Sequence, residues 1–430
     1  MAKRTVLYMF ADSDTPLDPL VTSHKMGLSV VMVSSERHAW PQDLVDGSIE
    51  TDISDVPTSV SALKEFARHQ AVHGVVAFDD KSVPTAAAIA NSLGLPGNPY
   101  EAAYAARNKY LMRTKFQAHG LPGPRFGLAT AIEEAEQLVE RKIGYPAVIK
   151  PLFGTASQGV IRVDDPAQLR QAFERIWRIV ATHRAFVKED PFLNALLIEE
   201  YMEGAEVTVD GLIRDGDVTV LAIFDKPEPL VGPFFEETIY TTPSRYPEQI
   251  QKEATAMAEE GIAALGLTSG PFHAELRLTP DGPRLLEIAA RRIGGICSSM
   301  FAYSLGIDFN ELIFKVALGD PYEIHRSTRR PSGVMMIPVP AKGRLVQVEG
   351  IETARKVEGV LDVTLRVKPG DTILTFPEQS CYIGFILAVG ENPERVQDTL
   401  LLAHSKLKFI IETSAEASDE PRPCQRFCYA

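Results

Sequence analysis

The stretch "GPFHAELRLTPDGPRLLEIAARRIGG" at residues 270–295 predicts a β-hairpin that carries two facing acids. Apolar and polar residues alternate in both arms, and "TPDGP" at 279–283 is a strong turn signal. Because Glu275 and Glu287 are equidistant from Asp281, a loop of odd length centred there places both carboxylates opposite each other on one face. A two-residue loop would instead put them on opposite faces. The apolar residues expected in the core are Phe272, Ala274, Leu276 and Leu278 in the first arm, and Leu286, Ile288 and Ala290 in the second.

Opposed carboxylates on one hairpin face predict a divalent-cation site. At such positions they lie about 5 Å apart and repel each other, whereas a cation between them turns the repulsion into binding. Two carboxylates together with substrate phosphates are the usual ligands of Mg²⁺, or of Mn²⁺. Arg291 follows on the same face, where it can stabilise developing negative charge. The alternative is a solvated face on which the acids pair with neighbours such as Arg277.

The stretch "VIKPLFGTASQGVIRV" at residues 148–163 contains two apolar strands separated by a loop of small residues. Gly154 and Gly159 permit close backbone approach, and Ser157 supplies a hydrogen-bond donor. This composition suits a lid that closes over phosphates, with Lys150 reaching them as a point charge from the end of the first strand. An ordinary mobile hairpin loop is the alternative.

A third stretch, "LLIEEYMEGAEVTVDGLI" at residues 196–213, places acids where a buried strand ends. The backbone N–H and C=O groups around Glu200 and Met202 are able to pair with an adenine edge. Glu206, which follows a turn at Gly204, can accept hydrogen bonds from ribose hydroxyls. The alternative is a strand end with solvated glutamates, so this stretch alone does not identify a nucleotide site.

Composition narrows the class of protein. The chain has 430 residues, a formal net charge of −13, and 45% hydrophobic and 23% charged residues, which is typical of a soluble globular protein with several domains. The acidic balance disfavours nonspecific nucleic-acid binding. No apolar stretch approaches the roughly 18 residues of a membrane span, so no membrane association is expected. The cysteines lack zinc-site spacing, and a reduced cytoplasmic enzyme is expected: they are Cys297, Cys381, Cys424 and Cys428.

The order of strands and helices predicts a combined α/β and α+β protein. Residues 1–103 alternate buried strands with helical patterns, which indicates a doubly wound α/β domain with a parallel sheet. Its strands are predicted at 5–10, 28–34 and 74–80, and its helices near 16–26, 57–70 and 83–93. The rest of the chain divides into a nucleotide-binding and catalytic region at 104–330, with a lid subdomain at about 126–203, an α+β module at 331–412 and a flexible tail at 413–430.

Taken in chain order, these pieces resemble the ATP-grasp superfamily. The resemblance rests on Lys109 in "RNKYLMR", Lys150 before the small-residue loop, "EEYMEGAE" at 199–206, and "HAEL" and "EIAAR", whose acids are twelve residues apart. It covers residue 1 to about residue 325 and implies the ATP-grasp fold. Within the superfamily the chain looks most like the L-amino-acid ligases, because of "FHAEL", "EIAARRIGG" and the C-terminal "FPEQSCYIGFILAVG".

The resemblance implies a role for each matching residue. The residues, with the partner that each would contact, are Lys109, Lys150, Gly154, Ser157 and Gly159 for the ATP phosphates, Glu199, Glu200 and Met202 for adenine, Glu206 for ribose, Glu275 and Glu287 for Mg²⁺, and Arg291 for the substrate carboxylate and its acyl phosphate. Ala289 departs from the pattern, because many members have Asn there as an additional metal ligand. The departure puts the completeness of a second metal site in doubt.

Resemblance to the L-amino-acid ligases also implies a reaction. These enzymes use ATP to convert the carboxylate of an amino acid into an acyl phosphate, which the amine of a second amino acid attacks, and they are often homodimers. A carboxylase or ligase that acts on bicarbonate or another carboxylate is an alternative with the same fold. A nonenzymatic nucleotide-binding protein is a further alternative, but it should have lost Lys150, Glu275, Glu287 or Arg291, and all four are present.

The sequence contains weaker signals for the amino-acid site than for the nucleotide site. The segment 225–247 is rich in Pro, Phe and acids and is long for a connector, which predicts that it lines the substrate site. Glu236 or Glu237 would then hold an ammonium group, whereas a surface excursion is the alternative. His273, Gly294 and Gly295 are further candidates for substrate contact, although a purely structural histidine fits the pattern equally well.

Overall fold

The computed structural model describes residues 3–11, 17–183, 190–327, 330–379 and 382–412. Cys381 and the predicted tail at 413–430, which contains Cys424 and Cys428, lie outside the described residues. The strands of the described ranges form four sheets. None of the helices in these ranges combines the length and the apolar character that a bilayer-spanning segment needs.

The N-terminal part is a parallel sheet with helical crossovers, as its alternating pattern predicts. Its sheet has the order β3-β2-β1-β4, and all neighbouring strands are parallel. The elements in chain order are β1 (Thr5–Phe10), α1 (Leu17–Lys25), β2 (Ser29–Ser34), β3 (Gly47–Glu50), α2 (Val56–His69), β4 (Gly74–Ala77) and α3 (Val83–Leu93). Strand β3 was not predicted, because a four-residue edge strand with alternating burial carries little apolar signal.

Two short helices lead into a second, antiparallel sheet with the order β5-β8-β6-β7. The elements are α4 (Tyr100–Arg107), α5 (Lys109–Ala118), β5 (Phe126–Ala129), α6 (Ile132–Leu138), a π-helical turn (Val139–Ile143), β6 (Ala147–Pro151), β7 (Ile161–Val163), α7 (Pro166–His183) and β8 (Leu196–Glu200). Asn108 caps α5, because its side chain accepts hydrogen bonds from the backbone N–H groups of Tyr110 and Leu111. The cap places Lys109 in the first turn of the helix.

The largest sheet has eight antiparallel strands in the order β13-β12-β9-β10-β11-β14-β18-β16. Its first half and the helices around it are β9 (Ala205–Arg214), β10 (Asp217–Lys226), β11 (Ile239–Thr242), α8 (Glu248–Leu265), β12 (Gly270–Thr279), β13 (Gly282–Ala289), a 3-10 turn (Cys297–Ser299), α9 (Met300–Leu305) and α10 (Phe309–Ala317). Helix α8 covers one face of the hairpin with its alanines and Ile262.

The C-terminal elements extend this sheet and add a small second one. They are β14 (Ser332–Met336), β15 (Gly343–Glu349), α11 (Ile351–Arg355), β16 (Val360–Leu365), β17 (Thr372–Ile373), β18 (Gly384–Val389), α12 (Pro393–His404) and β19 (Lys408–Glu412). Strands β14, β18 and β16 continue the eight-stranded sheet, whereas β17, β15 and β19 form a three-stranded sheet. The predicted boundary at residue 331 therefore falls between strands of one sheet, and the domain bounds stay predictions.

The hairpin of β12 and β13 confirms the predicted pairing but not the predicted loop. Glu275 is directly opposite Glu287, yet Thr279 pairs with Gly282, so the loop has two residues rather than an odd number. A β-bulge between Glu275 and Leu276 inserts one extra residue into β13 and restores the register. The prediction that Leu286 faces the core is consequently wrong, because Leu285, which is 1% exposed, takes that place.

One apolar core joins the N-terminal sheet to the region that follows the hairpin. Tyr8 of β1 stacks on Phe78 at 5.1 Å between ring centroids, and Phe78 contacts Phe314 of α10 at 6.1 Å. All three belong to a cluster that continues to Met336 of β14. This packing holds the carboxyl end of β4 beside the chain that leaves the hairpin.

Candidate active site

The hairpin presents both predicted metal-binding acids on one open face. The side chains of Glu275 and Glu287 are 22% and 25% exposed, in contrast to the apolar face beneath them. Each acid already has a cation from another element as a partner. Lys109 Nζ lies 2.9 Å from a Glu287 oxygen, and Lys226 Nζ lies 3.5 Å from a Glu275 oxygen. Two lysine ammonium groups therefore lie beside the two acids in the folded chain.

Lys226, the last residue of β10, is a candidate that sequence reasoning missed. Its ammonium forms ion pairs with Glu206 and with Glu237, at 2.7 Å for Glu237, and also faces Glu275. Burial alone would lower the pKa of Lys226, but the three carboxylates outweigh burial and hold it well above its usual value. We call Lys226 and these three glutamates the acidic cluster. The available signal in the sequence was a single lysine at the end of a largely apolar strand, which could have indicated a buried functional cation.

The acidic cluster has the spacing of a metal-ligand set, but it contains its own cation. Oxygens of Glu206, Glu237 and Glu275 lie within 4.8 Å of one another, with the Lys226 ammonium beside them. Arg277 adds a second cation, because its Nη2 lies 3.3 Å from Glu206. Glu206, the predicted ribose ligand, is thus held between two cations. The three carboxylates of the cluster are therefore neutralised only in part by the lysine and the arginine beside them.

His273 is held between two carboxylates, one of which is the hairpin acid Glu275. Its Nδ1 lies 2.9 Å from Asp210 and its Nε2 lies 3.1 Å from Glu275. Asp210 is itself fixed by the Thr208 hydroxyl, which donates at 2.7 Å. Burial opposes protonation of His273, but the two carboxylates prevail and raise its pKa to about 9. The charged imidazolium therefore locks Glu275 in place at neutral pH.

Lys150 lies at the end of β6 but is locked to an acid in this structure. Its ammonium pairs with Glu199, which also accepts a hydrogen bond from Arg113 Nε at 2.9 Å. We call these three residues the basic cluster, because two cations share one carboxylate. Burial raises the pKa of Glu199, but Arg113 and Lys150 outweigh it and lower that pKa to about 2. Burial lowers the pKa of Lys150 itself.

The residues predicted to contact adenine, Glu199, Glu200 and Met202, lie at the end of β8 and just after it. Glu200 is held on the outside by Arg125, whose Nη2 lies 3.1 Å from its carboxylate. Met202 points inward and is 7% exposed. Met202 is thus a buried side chain, whereas Glu200 pairs with Arg125 and Glu199 pairs with two cations. Sequence reasoning treated these three positions alike.

The predicted lid loop is anchored at both ends. Lys109 Nζ donates to the Gly154 carbonyl at 3.0 Å, and the Gly159 N–H donates to the Pro377 carbonyl at 3.0 Å. Ser157 adopts a left-handed backbone with φ of 54°, and Gly159 has φ of 71°, a conformation that glycine adopts without strain. Lys109 therefore joins the loop to Glu287 on the hairpin.

Arg291 extends from the end of the hairpin toward the N-terminal part. Its Nε lies 2.7 Å from an Asp80 oxygen, and both side chains are mostly buried. Burial would lower the pKa of Arg291, but Asp80 and Glu287 raise it further above its ordinary range. Sequence reasoning missed Asp80, which is separated from Arg291 by 211 positions.

The two adjacent acids of the Pro-rich segment have different surroundings. Glu237 enters the acidic cluster and accepts a hydrogen bond from the Tyr240 hydroxyl at 2.8 Å, with Tyr382 at 3.3 Å. Glu236 instead accepts the backbone N–H of Val339 at 3.0 Å, outside the cluster. Both acids therefore have partners within this chain, and their role as ammonium ligands stays a prediction. The two glycines that follow Arg291 and its neighbours are exposed in the structure: Gly294 and Gly295.

Three family models match successive parts of the chain. The ATP-grasp N-terminal domain matches residues 21–97, the ATP-grasp domain matches residues 143–300, and the L-amino acid ligase C-terminal domain 2 matches residues 335–412. The second match contains every residue of the acidic cluster and the hairpin acids. Lys109 lies between the first two matches.

Proteins with known names are similar over nearly the whole chain. Dapdiamide A synthase of Enterobacter agglomerans is 27% identical over 393 residues, which cover 86% of this chain and 84% of that protein. The L-arginine-specific L-amino acid ligase of Bacillus subtilis is 23% identical over 384 residues, covering 89% and 90%. The crystal structure of an L-amino acid ligase from Bacillus licheniformis superposes with a TM-score of 0.81 at 26% identity, covering 96% of this chain and 99% of that one.

Proposed function

We propose that this chain, a member of the ATP-grasp superfamily, is an ATP-dependent ligase that joins the carboxylate of one amino acid to the amine of another. The observation that carries the proposal is the opposition of Glu275 and Glu287 on an open hairpin face, with Arg291 beyond them. The L-amino acid ligase C-terminal domain favours this function over the carboxylase alternative, which shares the fold.

ATP would bind between the lid sheet and the eight-stranded sheet. Lys109 and Lys150 supply positive charge for the phosphates, and the loop of Gly154, Ser157 and Gly159 covers them. The segment from Glu199 to Met202 would line the adenine site, and Glu206 would accept hydrogen bonds from the ribose hydroxyls. The position of Lys109 supports this arrangement, because its ammonium contacts both the lid loop and the hairpin acid Glu287.

The residues present fit a Mg²⁺ or Mn²⁺ ion. Glu275 and Glu287 offer hard oxygen donors from opposite strands, and their partial exposure leaves room for ATP phosphates to complete the coordination. The ion would be held by these two acids and would neutralise phosphate charge. Ala289 offers no oxygen for a further ligand. His273 keeps Glu275 oriented, as second partners of metal ligands commonly do.

The reaction follows from the chemistry of a carboxylate, which is a poor electrophile. A carboxylate oxygen of the first amino acid attacks the γ-phosphorus of ATP, and ADP leaves, which forms an acyl phosphate. The amine of the second amino acid then attacks the carbonyl carbon, loses a proton, and expels phosphate. Arg291 would stabilise the negative charge on the carboxylate and on the acyl phosphate. The lid would exclude water that otherwise hydrolyses the intermediate.

The test is phosphate release from MgATP with each of the twenty amino acids, singly and in pairs, with mass detection of products. We expect release that requires a particular pair, a product with the dipeptide mass, and loss of both signals in Glu287→Ala. Release without amino-acid dependence would overturn the amino-acid ligase, and parallel assays with bicarbonate and other carboxylates would then identify the acceptor.

Two properties of the family extend the proposal beyond the active site. We infer a cytoplasmic enzyme, because the reaction consumes ATP, and a homodimer, because related ligases often are. Light scattering of the purified chain tests the second property, with a mass of two chains as the expected result.

A further inference from the structure

We propose that Asp80, in the N-terminal part of the chain, is a positioning residue that aims the Arg291 guanidinium at the reacting carboxylate. The inference rests on the proposed function and goes beyond it, because it makes the N-terminal domain part of the catalytic apparatus. It is carried by the contact between Asp80 Oδ2 and Arg291 Nε, which lie 2.7 Å apart.

The hydrogen bonds of Arg291 leave part of its guanidinium open to a ligand. Nε donates to Asp80, and Nη1 donates to the Arg292 carbonyl at 2.9 Å. A guanidinium has five N–H donors in a rigid plane, so these two bonds fix the plane. Three donors have no further hydrogen bond within the described residues. A planar fork held on one side presents its other side to a carboxylate or phosphate in a defined orientation.

Asp80 is well suited to act as a fixed point. It follows β4, at the carboxyl end of a parallel strand, which is where open α/β sheets place groups that meet ligands. The preceding residue, Asp79, secures the turn, because its carboxylate accepts hydrogen bonds from the Ser82 N–H at 2.9 Å and the Ser82 hydroxyl at 2.7 Å. The Asp80 backbone is therefore anchored independently of Arg291.

The charge around Asp80 keeps its carboxylate ionised. Burial raises the pKa of Asp80, but Arg291, Arg107 and Lys109 outweigh burial and hold that pKa below its usual range. A permanent negative charge is needed for this role, because a neutral acid would hold the guanidinium weakly. The same cations belong to the region where the substrate carboxylate and the phosphates of ATP would bind.

The adjacent arginine provides a matched control. Arg292 pairs with Asp18 of α1 in a two-pronged contact at 2.6 Å and 3.1 Å, and it also bonds Asn310. This pair joins the same two parts of the chain as Asp80 and Arg291 do. The Arg292 side chain, however, is 4% exposed, and its guanidinium bonds to partners within the chain. Loss of the Asp18 contact therefore reports the cost of weakening the junction without misaiming Arg291.

The experiment compares Asp80→Asn, Asp18→Asn, Arg291→Ala and the double variant of Asp80→Asn with Arg291→Ala. Rates of phosphate release are measured with MgATP and the amino-acid pair that gives the highest wild-type rate, and thermal unfolding is recorded for each variant. We expect Asp80→Asn to lower kcat by about 10- to 100-fold, as small misplacements of reacting groups do. Its KM values should stay near those of the wild type, and Asp18→Asn should keep the wild-type kcat.

The double variant gives the sharpest test, because a residue that acts only through Arg291 adds nothing once Arg291 is gone. We expect the double variant to match Arg291→Ala, and Arg291→Lys replaces that variant if it does not fold. The inference is overturned by a wild-type kcat in Asp80→Asn, by a rise in KM alone, or by an equal loss in Asp18→Asn. A wild-type chain that is inactive with every pair would instead refute the proposed function.

Discussion

The acidic and basic clusters both contain a buried lysine, but they have opposite balances of charge. In the acidic cluster one ammonium, that of Lys226, faces three carboxylates. In the basic cluster Lys150 and Arg113 share a single carboxylate, that of Glu199. An excess of carboxylates attracts a metal cation or an ammonium group, whereas an excess of cations attracts phosphate. Under the proposed function, the acidic cluster would lie in a half of the site for the metal and the amino acid, and the basic cluster in a half for the phosphates.

The largest expected effect tests the acidic half. Glu275→Gln removes one of the two facing carboxylates and also one of the two anionic partners of His273, while it preserves the size of the side chain. We expect kcat to fall by about 10³-fold, as when a preorganised charged group is removed from a transition state. Rates of phosphate release measure the change. Glu260→Gln, at an exposed position of α8, is the control and should be silent; near-native activity in Glu275→Gln would refute the division.

The next prediction compares the two lysines directly through stability. Lys226→Met leaves the buried Glu206 and the partly buried Glu237 and Glu275 without their shared cation, and we expect the free energy of unfolding to fall by about 3–5 kcal/mol. Lys150→Met leaves Glu199 paired with Arg113, so we expect a loss of only about 1–2 kcal/mol. Urea unfolding at pH 7 measures both. Equal losses would show that the charge balances do not differ in energy.

The acid dependence of stability sharpens the description of the basic half. The pKa of Glu199 is lowered to about 2 from an ordinary value of 4.5. A group with a lowered folded pKa contributes stability that is present above pH 4.5 and is lost as the pH falls through 2. We expect Glu199→Gln to be less stable than the wild type by about 2–3 kcal/mol at pH 7, and the difference to shrink as the pH falls below 4.5. Unfolding curves are measured for both proteins from pH 7 to pH 3. A difference in unfolding free energy that stays constant over this range would contradict the prediction.

Local patterns predict the strands of both halves, but single-residue bulges decide which charges meet. The alternation in 270–289 predicts the hairpin, and the extra residue in β13 sets Glu275 against Glu287 despite a two-residue loop. The hairpin of β9 and β10 repeats this: after the turn at "RDGD" a bulge between Val220 and Ala222 sets Lys226 against Glu206. Bulges leave no clear mark in the alternation of apolar residues and are common beside active sites. The symmetry about Asp281 therefore predicted the correct pairing of Glu275 with Glu287, although the loop length from which it was argued was wrong.

Contacts between distant parts of the chain could not be predicted at all. Asp80 meets Arg291, and Glu378 meets Arg175, only because strands and helices from separate segments pack together. Motif order was sufficient for the superfamily. It also singled out the named acids and lysines, because those residues lie within local elements, and their roles stay predictions. Partners that tune them, such as Asp210 for His273 and Arg113 for Glu199, depend on which strands become neighbours. Topology, rather than local periodicity, supplies that information.

The smallest expected effect lies on the rim of the basic half, where the lid meets the C-terminal part. Arg175 of α7 makes a two-pronged contact with Glu378 at 2.6 Å and 2.8 Å, and Gln158 of the lid loop donates to the Glu378 carbonyl at 2.8 Å. Because the ion pair is more than a third exposed, Glu378→Gln should cost less than about 1 kcal/mol of stability. A looser lid should nevertheless admit water to the acyl phosphate. We therefore expect the ratio of phosphate released to dipeptide formed to rise by about twofold, an effect within the energy of one exposed ion pair.

Glu136→Gln is the matched control for the lid. Glu136 of α6 pairs with Arg170, which is on the same helix as Arg175, but this pair lies within the predicted lid. Both variants remove the carboxylate partner of an α7 arginine, and only Glu378→Gln loosens the junction between the lid and the C-terminal part. The phosphate-to-dipeptide ratio should thus change in Glu378→Gln and stay at the wild-type value in Glu136→Gln. An unchanged ratio in both would mean that the anchors at Gly154 and Gly159 suffice to close the lid, since their hydrogen bonds use backbone groups that neither substitution removes.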